Sequence, residues 1–200
     1  MQQVKYGLRR SPHPNALLAT SPLPLLCHPA FPGPAIRCLQ ASATQLPDGG
    51  LALRFQLHGK PGDLRLPPPQ QPAAVDGLWH TTCCEAFIAA VDAPDYREFN
   101  FSPSGQWAAY RFVAYRERDT HFVPASAPRI AFALLPDGFR LDVELAAALL
   151  PAPGPLNLSL TAVIEAADGS KSYWALAHAT EQPDFHHRQS FTLTLNTAQP

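Results

Sequence analysis

Proline content is the feature that most restricts the fold of this chain. The sequence contains 23 prolines in 200 residues, whereas glycine, at 11, is not abundant. Proline lacks the amide donor and clashes with the preceding helical turn, so this density opposes long helices and favours short strands joined by stiff loops. Hydrophobic residues make up 46% of the chain, which is enough to bury a core. The composition therefore predicts one all-β domain.

Alternating apolar and polar residues indicate where the strands lie. Clear runs of alternation, each next to a turn that contains glycine, lie at 51–57, 139–145 and 156–164. Roughly ten such strands at short intervals are typical of an antiparallel β-sandwich. We therefore predict a sandwich over residues 35–200 and a proline-rich N-terminal arm, extended along the domain, over residues 1–34.

Charge and hydropathy argue against several classes of partner. The net charge is -1, which gives no electrostatic reason to expect nucleic acid or an anionic membrane surface. No apolar run approaches the roughly 18 residues of a membrane span. Prolines interrupt the N-terminal segment before it can form the core of a signal peptide. We therefore predict a cytoplasmic protein with neither a nucleic-acid partner nor a membrane partner.

The cysteines and histidines do not indicate a metal site. Cys83 and Cys84 are adjacent, so they point to opposite faces of a strand and make a poor disulfide pair. All four cysteines are expected to be thiols in a reducing compartment, with these two buried as small apolar residues. Cys-x2-Cys spacing is absent, and the His and Asp residues of 178–187 have no compact ligand spacing. We predict no metal and no cofactor.

Catalytic motifs are also absent. The sequence has no nucleophile elbow and no glycine-rich phosphate loop. Glu85, Glu98 and Glu165 could supply two carboxylates for glycoside hydrolysis, which requires a set separation across a cleft. Sequence does not give that separation, so the prediction is a non-catalytic protein, with hydrolysis as a lesser alternative.

The segment 96–116 predicts a hairpin with a polar and aromatic face. The turn Ser102-Pro103-Ser104-Gly105 has Pro and Gly where a type I turn prefers them. Pairing about that turn places Asn100 opposite Trp107, Glu98 opposite Ala109 and Tyr96 opposite Arg111. One face then carries Tyr96, Glu98, Asn100, Trp107, Arg111 and Tyr115. We interpret this face as a ligand-binding surface; the alternative is a surface ladder with a Glu98–Arg111 ion pair.

A second hairpin turns at Asp168-Gly169. Pairing about that turn places Val163 opposite Trp174, and alternation puts Glu165, Trp174 and His178 on one face. The apolar row 158–164 takes the opposite face. Two interpretations of Trp174 follow: it lines a pocket, or it packs in an apolar layer with its N–H satisfied.

Three phrases of the sequence resemble a known group of proteins. They are DGLWHTTCCEAFIA, YREFNFSPSGQWAAYRF, and SYWALAH followed by PDFHH. The chain resembles, over roughly residues 30–196, the bacterial DOMON-like domain proteins, a group related to the family 9 carbohydrate-binding modules. The resemblance implies a β-sandwich that binds either sugar or haem.

Each branch of the resemblance implies particular residues. Sugar-binding members clamp a terminal sugar between two tryptophans, and Trp79, Glu85 and Trp174 are similar to that arrangement, with Arg111 a looser match. Six residues of straight strand span about 20 Å, so Trp79 and Glu85 can share one sugar only if the chain bends near Thr81. Haem-binding members use a Met and a His, and the sole methionine here is Met1. Ligation by His80 or His178 stays open as the weaker alternative.

Together these observations predict a non-catalytic module that binds a small ligand, a carbohydrate or a sugar derivative, in an aromatic and polar pocket. The alternative is a protein-interaction module that uses the same aromatic face. A concave pocket favours the sugar, and a flat patch favours the protein partner. The predicted ligand-binding residues are Trp79, Glu85, Glu98, Asn100, Trp107, Arg111, Trp174 and His178.

Overall fold

The computed structural model describes residues 20–151 and 153–196, which form two antiparallel sheets. Within these residues the helical segments are short 3₁₀ turns, and none of them has the length and apolarity of a membrane span. Thirteen strands are present among the described residues: β1 (Leu23–Pro24), β2 (Leu26–Cys27), β3 (Ile36–Gln45), β4 (Leu51–Gly59), β5 (Cys83–Ala90), β6 (Tyr96–Phe101), β7 (Trp107–Ala114), β8 (Glu117–Arg118), β9 (Arg129–Leu135), β10 (Gly138–Leu145), β11 (Leu156–Glu165), β12 (Lys171–Ala175) and β13 (Leu193–Leu195).

The two sheets pack face to face as a sandwich. The smaller sheet has the order β1-β3-β4-β10-β9, and the larger has the order β2-β12-β11-β5-β6-β7-β8, with β13 paired to β11. Alternate side chains of both sheets meet in the main core, where Phe55, Phe99, Leu141 and Leu160 are fully buried. Burying such side chains is the main source of stability for a domain of this kind. The predicted all-β antiparallel sandwich is confirmed.

Residues 20–34 add an edge strand to each sheet. β1 pairs with β3 in the smaller sheet, and β2 pairs with β12 in the larger one. Between them, Leu25 donates its N–H to the carbonyl of Leu39 and lies in the main core. This part of the predicted arm therefore joins the two sheets along one edge. Residues 1–19 of the arm lie outside the described residues.

A second apolar layer covers the outer face of the larger sheet. Phe87 of β5 and Tyr96 of β6 point away from the main core, and Phe185 and Phe191 pack over them. The covering residues come from two segments, 75–82 and 183–191. Consequently β5 is buried along nearly its whole length, with Cys83 and Cys84 both inaccessible. All four cysteines are free thiols, as predicted.

Left-handed glycines set the register of three hairpins. In each, the fourth residue of a hydrogen-bonded turn is a glycine at positive φ: Gly49 at 83°, Gly105 at 90° and Gly169 at 85°. The carbonyl of the residue after each glycine accepts a hydrogen bond from the N–H of the first residue of the turn. Gln106 accepts from Ser102 N at 3.0 Å, and Ser170 accepts from Ala166 N at 2.8 Å. Each loop therefore holds one residue more than a plain four-residue turn.

This extra residue makes two sequence-based pairings wrong by one position. Phe101, not Asn100, is opposite Trp107, and Ala162, not Val163, is opposite Trp174. A slip of one residue exchanges the two faces of a strand. Trp107 and Arg111 therefore lie on the face opposite to Glu98, and Trp174 shares the inner face with the apolar row of β11.

We expect Gly169→Ala to destabilise the protein by about 1–2 kcal/mol, the cost of a left-handed conformation for a residue with a Cβ. A Cβ at Gly169 would meet no atom within 4 Å, so the backbone alone carries this cost. Gly62→Ala is the matched control, because Gly62 has equal space and lacks a positive φ. The measurement is urea denaturation of both variants. Equal stability of the two would contradict the role assigned to the glycine.

Candidate functional site

The outer face of the larger sheet holds a concave cavity of about 370 Å³, here called the sheet-face pocket. Strands β5, β6, β7, β11 and β12 supply its floor, and the segments 79–80, 116–118 and 183–186 form its walls. The floor residues are Glu85, Phe87, Glu98, Tyr110, Phe112, Val163, Lys171 and Tyr173. The wall residues are Trp79, His80, Arg116, Arg118, Pro183, Phe185 and His186.

Two carboxylates lie side by side on this floor. Glu85 on β5 is opposite Asn100 on β6, so Glu98, two residues before Asn100, is its diagonal neighbour on the same face. Diagonal neighbours are roughly 7–8 Å apart at the backbone, within reach of each other's side chains. Glu85 is 3% exposed and Glu98 is 6% exposed, so both acids are almost removed from bulk water.

Neutral groups hold the two carboxylates in place. Thr161 donates its hydroxyl to Oε2 of Glu85 at 3.3 Å, and Asn100 donates Nδ2 to Oε1 of Glu98 at 2.7 Å. Asn100 is fully buried and fixes one oxygen of Glu98, whose other oxygen, Oε2, lies 3.7 Å from Nε2 of His186. Neither donor carries a charge that could compensate the acids.

Burial raises the pKa of both carboxyl groups. For Glu85 the pKa lies well above its usual range, because of burial first and the neighbouring charge of Glu98 second. Burial raises the pKa of Glu98 to about 7, although the hydrogen bond from Asn100 and the charges of Arg118 and Arg116 oppose the shift. Desolvation favours the neutral form of an acid, and two neighbouring carboxylates resist ionising together. The floor therefore retains protons at a pH where exposed acids have lost them.

His186 and Tyr96 support Glu98 from the side. The backbone N–H of Arg116 donates to the Tyr96 hydroxyl at 3.1 Å, and that hydroxyl lies 2.9 Å from Nδ1 of His186. The Tyr96 hydroxyl therefore donates its proton to Nδ1, and the imidazole carries its own proton on Nε2. Nε2 lies 3.7 Å from Oε2 of Glu98. Burial, together with the charge of Arg116, lowers the pKa of His186 to about 4. The ring is thus neutral near pH 7.

Trp79 forms the exposed aromatic wall of the pocket. Gly77, at φ 76°, begins a short 3₁₀ turn over Leu78–His80, and the chain becomes extended again at Thr81. This turn supplies the bend that the sequence required near Thr81, and it brings Trp79 and Glu85 to one cavity. The indole is 37% exposed and meets the Tyr110 ring edge to face, with centroids 5.9 Å apart.

The cations of the wall are engaged by carboxylates outside the floor. Arg116 binds Asp184 at 2.8 Å. The guanidinium of Arg118 lies 4.1 Å from the centroid of the Tyr110 ring and 3.8 Å from Asp76. Tyr110 donates its hydroxyl to the same Asp76. The wall thus carries positive groups whose charges are largely balanced before any ligand enters.

The structure brings three of the eight predicted site residues into the pocket, namely Trp79, Glu85 and Glu98. Asn100 supports the floor from below. Trp174 is 7% exposed in the main core, and its Nε1 donates to Ser172 at 2.9 Å, as the apolar-layer interpretation required. The remaining predicted residues lie away from the pocket: Trp107, Arg111 and His178.

Each of these three residues has another partner. Trp107 is buried and pairs by its backbone with the loop at Ala74. Arg111 binds Asp95 at 3.2 Å, in place of the Glu98–Arg111 ion pair of the alternative interpretation. His178 donates Nε2 to the carbonyl of Leu26 at 2.8 Å, so it ties the last loop to an edge strand.

Sequence reasoning missed several pocket residues because the register was displaced. With Asn100 opposite Ala108, alternation along β7 places Tyr110 and Phe112 beside Glu98. The glycine of the turn was the available signal, since a left-handed glycine after a type I turn adds one residue to the loop. His186 lies in the PDFHH phrase, which marked the segment but not its role. The missed residues that matter most are Tyr110, Arg116, Arg118, Tyr173 and His186.

Metal ligands do not cluster in this part of the molecule. Across residues 20–151 and 153–196, no group of three or more His, Cys, Asp or Glu side chains is arranged to hold a metal ion. The chemistry available in the pocket is instead aromatic stacking, hydrogen bonding by two carboxyl groups, and charge.

The chain is similar to proteins of known structure but matches no known family by sequence. No protein-family model and no curated protein matches the chain. The chain is similar to a candidate carbohydrate-binding protein from Bacteroides uniformis, with a TM-score of 0.58 and 12% identity over 85% of this chain and 83% of that one. It is also similar to a family 9 carbohydrate-binding module from Caldicellulosiruptor kristjanssonii. The complex of that module with cellotriose has a TM-score of 0.41 at 14% identity, over 76% of this chain and 72% of that one. The glucose complex has a TM-score of 0.40 at 15% identity, over 69% and 66%. The Bacteroides similarity establishes a shared fold.

Single alanine variants of Trp174 and Trp79 distinguish a tryptophan in the core from one in the pocket wall. We expect Trp174→Ala to cost about 3–5 kcal/mol of unfolding free energy, because it empties a buried site. Trp79→Ala removes a half-exposed ring and should cost about 1 kcal/mol or less. Urea denaturation of both variants measures the difference. A Trp79→Ala variant as unstable as Trp174→Ala would place Trp79 in the core and remove the wall of the pocket.

The raised pKa of Glu98 predicts a pH dependence of stability. In the unfolded chain this carboxyl titrates near 4.5, and in the folded protein near 7. The folded state therefore binds the proton more tightly, and the stability this group contributes at low pH is lost as the pH rises toward about 7. We expect Glu98→Gln to stabilise the protein more at pH 8 than at pH 5, measured by urea denaturation. The exposed Glu144→Gln variant is the control and should change stability equally at both values.

Proposed function

We propose that this protein is a non-catalytic module that binds a small carbohydrate or sugar derivative in the sheet-face pocket. The observation that supports the proposal is the meeting of a half-exposed indole, Trp79, with two buried carboxyl groups, Glu85 and Glu98, in one concave cavity. Sugar rings present apolar C–H faces, which stack on aromatic side chains, and hydroxyl groups, which need planar polar partners. The pocket offers both.

The size and shape of the cavity favour a small ligand over a protein partner. Its volume of about 370 Å³ falls within the range of about 300–1,000 Å³ typical of small-molecule sites. A protein interface would present its aromatic anchors on a broad surface and bury about 800 Å² per partner. Concavity therefore supports the sugar hypothesis, as does the shared fold with a candidate carbohydrate-binding protein. The cytoplasmic location and the DOMON-like membership stay predictions.

The placement of the acids supports binding without hydrolysis. Glycosidases position two carboxyl groups on either side of the scissile bond, about 5–9.5 Å apart. Here Glu85 and Glu98 stand on adjacent strands of one floor, so both approach a ligand from the same side. Such a pair can bind hydroxyl or amino groups of one ligand.

Titration calorimetry with monosaccharides and disaccharides tests this function. We expect binding to wild-type protein and a loss of about 2 kcal/mol, or roughly thirtyfold in affinity, in Trp79→Ala, the scale of removing an aromatic anchor. Leu134→Ala is the control, because Leu134 is 60% exposed on β9 of the other sheet. A folded wild-type protein that binds no sugar, or a Trp79→Ala variant with unchanged affinity, would contradict the proposal.

A further inference from the structure

Of the two acids on the floor of the sheet-face pocket, Glu85 has the fewer polar partners. Its Oε2 accepts from Thr161, and its Oε1 has no hydrogen-bond or ion-pair partner among residues 20–151 and 153–196. The residue is 3% exposed, yet it lines the cavity. A buried carboxylate needs a partner that supplies charge or several hydrogen bonds. The free oxygen is therefore directed at whatever occupies the pocket.

Lys171 lies on the same floor and Arg118 lies over the ring of Tyr110, yet neither forms an ion pair with the two acids. Among residues 20–151 and 153–196, no lysine or arginine forms an ion pair with Glu85 or Glu98. Arg116 is engaged by Asp184, and Arg118 by Asp76. His186, beside Glu98, is neutral near pH 7 because burial lowers its pKa to about 4. The two acids of the floor therefore lack a direct ion pair with any lysine or arginine of the described residues.

Aromatic rings border the same volume. Tyr110 is directly opposite Glu98 on β7, and Trp79 meets Tyr110 at the wall. The faces of such rings attract cations as well as the apolar faces of sugars. Arg118 already lies 4.1 Å from the Tyr110 ring centroid, so this ring of the floor binds a cation of the protein itself.

Building on the proposed sugar function, we propose that Glu85 and Glu98 form a subsite for a protonated primary amine, so that the preferred ligand is an amino sugar. A primary ammonium has three donors, which fit the free oxygen of Glu85 and the neighbouring carboxylate of Glu98 better than a sugar hydroxyl with one donor. The charge of the ammonium relieves the repulsion between the two acids. The aromatic wall and the remaining donors then hold the sugar ring above this subsite.

Binding of an ammonium group at this subsite is coupled to loss of protons from the floor. The carboxyl groups hold protons more tightly in the empty pocket than exposed acids do, and a cation stabilises their ionised forms. Affinity for an amine therefore rises with pH through about 7, the pKa of Glu98, for as long as the amine stays protonated. The other titratable or charged groups that face the floor are Asp76, His80, Cys83, Tyr96, Tyr110, Arg116, Arg118, Lys171, Tyr173 and His186.

The test compares glucosamine, 6-amino-6-deoxyglucose and glucose by titration calorimetry at pH 7 on the full chain. We expect at least one amino sugar to bind on the order of tenfold tighter than glucose, since charge-assisted hydrogen bonds are about twice as strong as neutral ones. Its binding heat should vary with the ionisation enthalpy of the buffer in the sense of proton release. Glu85→Gln should abolish the preference, and the exposed Glu144→Gln should retain it. The buffer dependence is measured on wild-type protein, so the test does not depend on the folding of a variant.

The outcomes separate this inference from the proposed function. Equal affinity for glucose and both amino sugars, or a binding heat independent of buffer, would overturn the amine subsite while leaving sugar binding intact. A preference that survives in folded Glu85→Gln would also overturn it. Binding of methylammonium with proton release, but of no sugar, would support the subsite and contradict the sugar function. Absence of all binding would overturn both.

Discussion

The register of the larger sheet is the constraint on which the site depends. Side chains alternate between its two faces, so a displacement of one residue would send Glu98 and Tyr110 into the main core and bring Phe99 to the surface. Left-handed glycines at the hairpin ends fix this register, because each accommodates one further residue in its turn. The same turns direct Trp174 inward, where it fills the core instead of a binding pocket.

A buried acidic floor is the energetic consequence of that register. The second apolar layer, with Phe185 and Phe191 over Phe87, removes water from the outer face of the sheet and takes Glu85 and Glu98 with it. Burying these two acids without an ion pair to a lysine or arginine lowers the free energy of unfolding. The raised pKa values of both acids have the same cause. Binding sites typically contain a polar cluster that lowers the stability of an otherwise well-packed fold, as this floor does.

The sequence predicted the architecture well and the site in part. Apolar alternation and glycine-containing turns were sufficient for the antiparallel sandwich, since both are local signals. Trp79, Glu85 and Glu98 were found through a resemblance and a face assignment, but Trp107, Arg111 and Trp174 were misplaced by one-residue errors in register. Those errors arose at Gly105 and Gly169, whose conformation adds a residue that periodicity alone does not reveal. The covering loop that delivers His186 comes from a distant part of the chain, and no local pattern predicts such packing.

The three tryptophans provide the most direct test of the central claim, that the ligand site is the sheet-face pocket. Each indole N–H gives its own signal in a ¹H–¹⁵N correlation spectrum. Trp79 lies in the pocket wall, Trp174 lies in the main core, and Trp107 is a buried residue whose backbone pairs with residues 73–75. Single Trp→Phe variants assign the signals. On titration with a sugar that binds, the Trp79 signal should shift progressively, while those of Trp107 and Trp174 stay in place. A shift confined to Trp107 or Trp174, with Trp79 unchanged, would contradict the site.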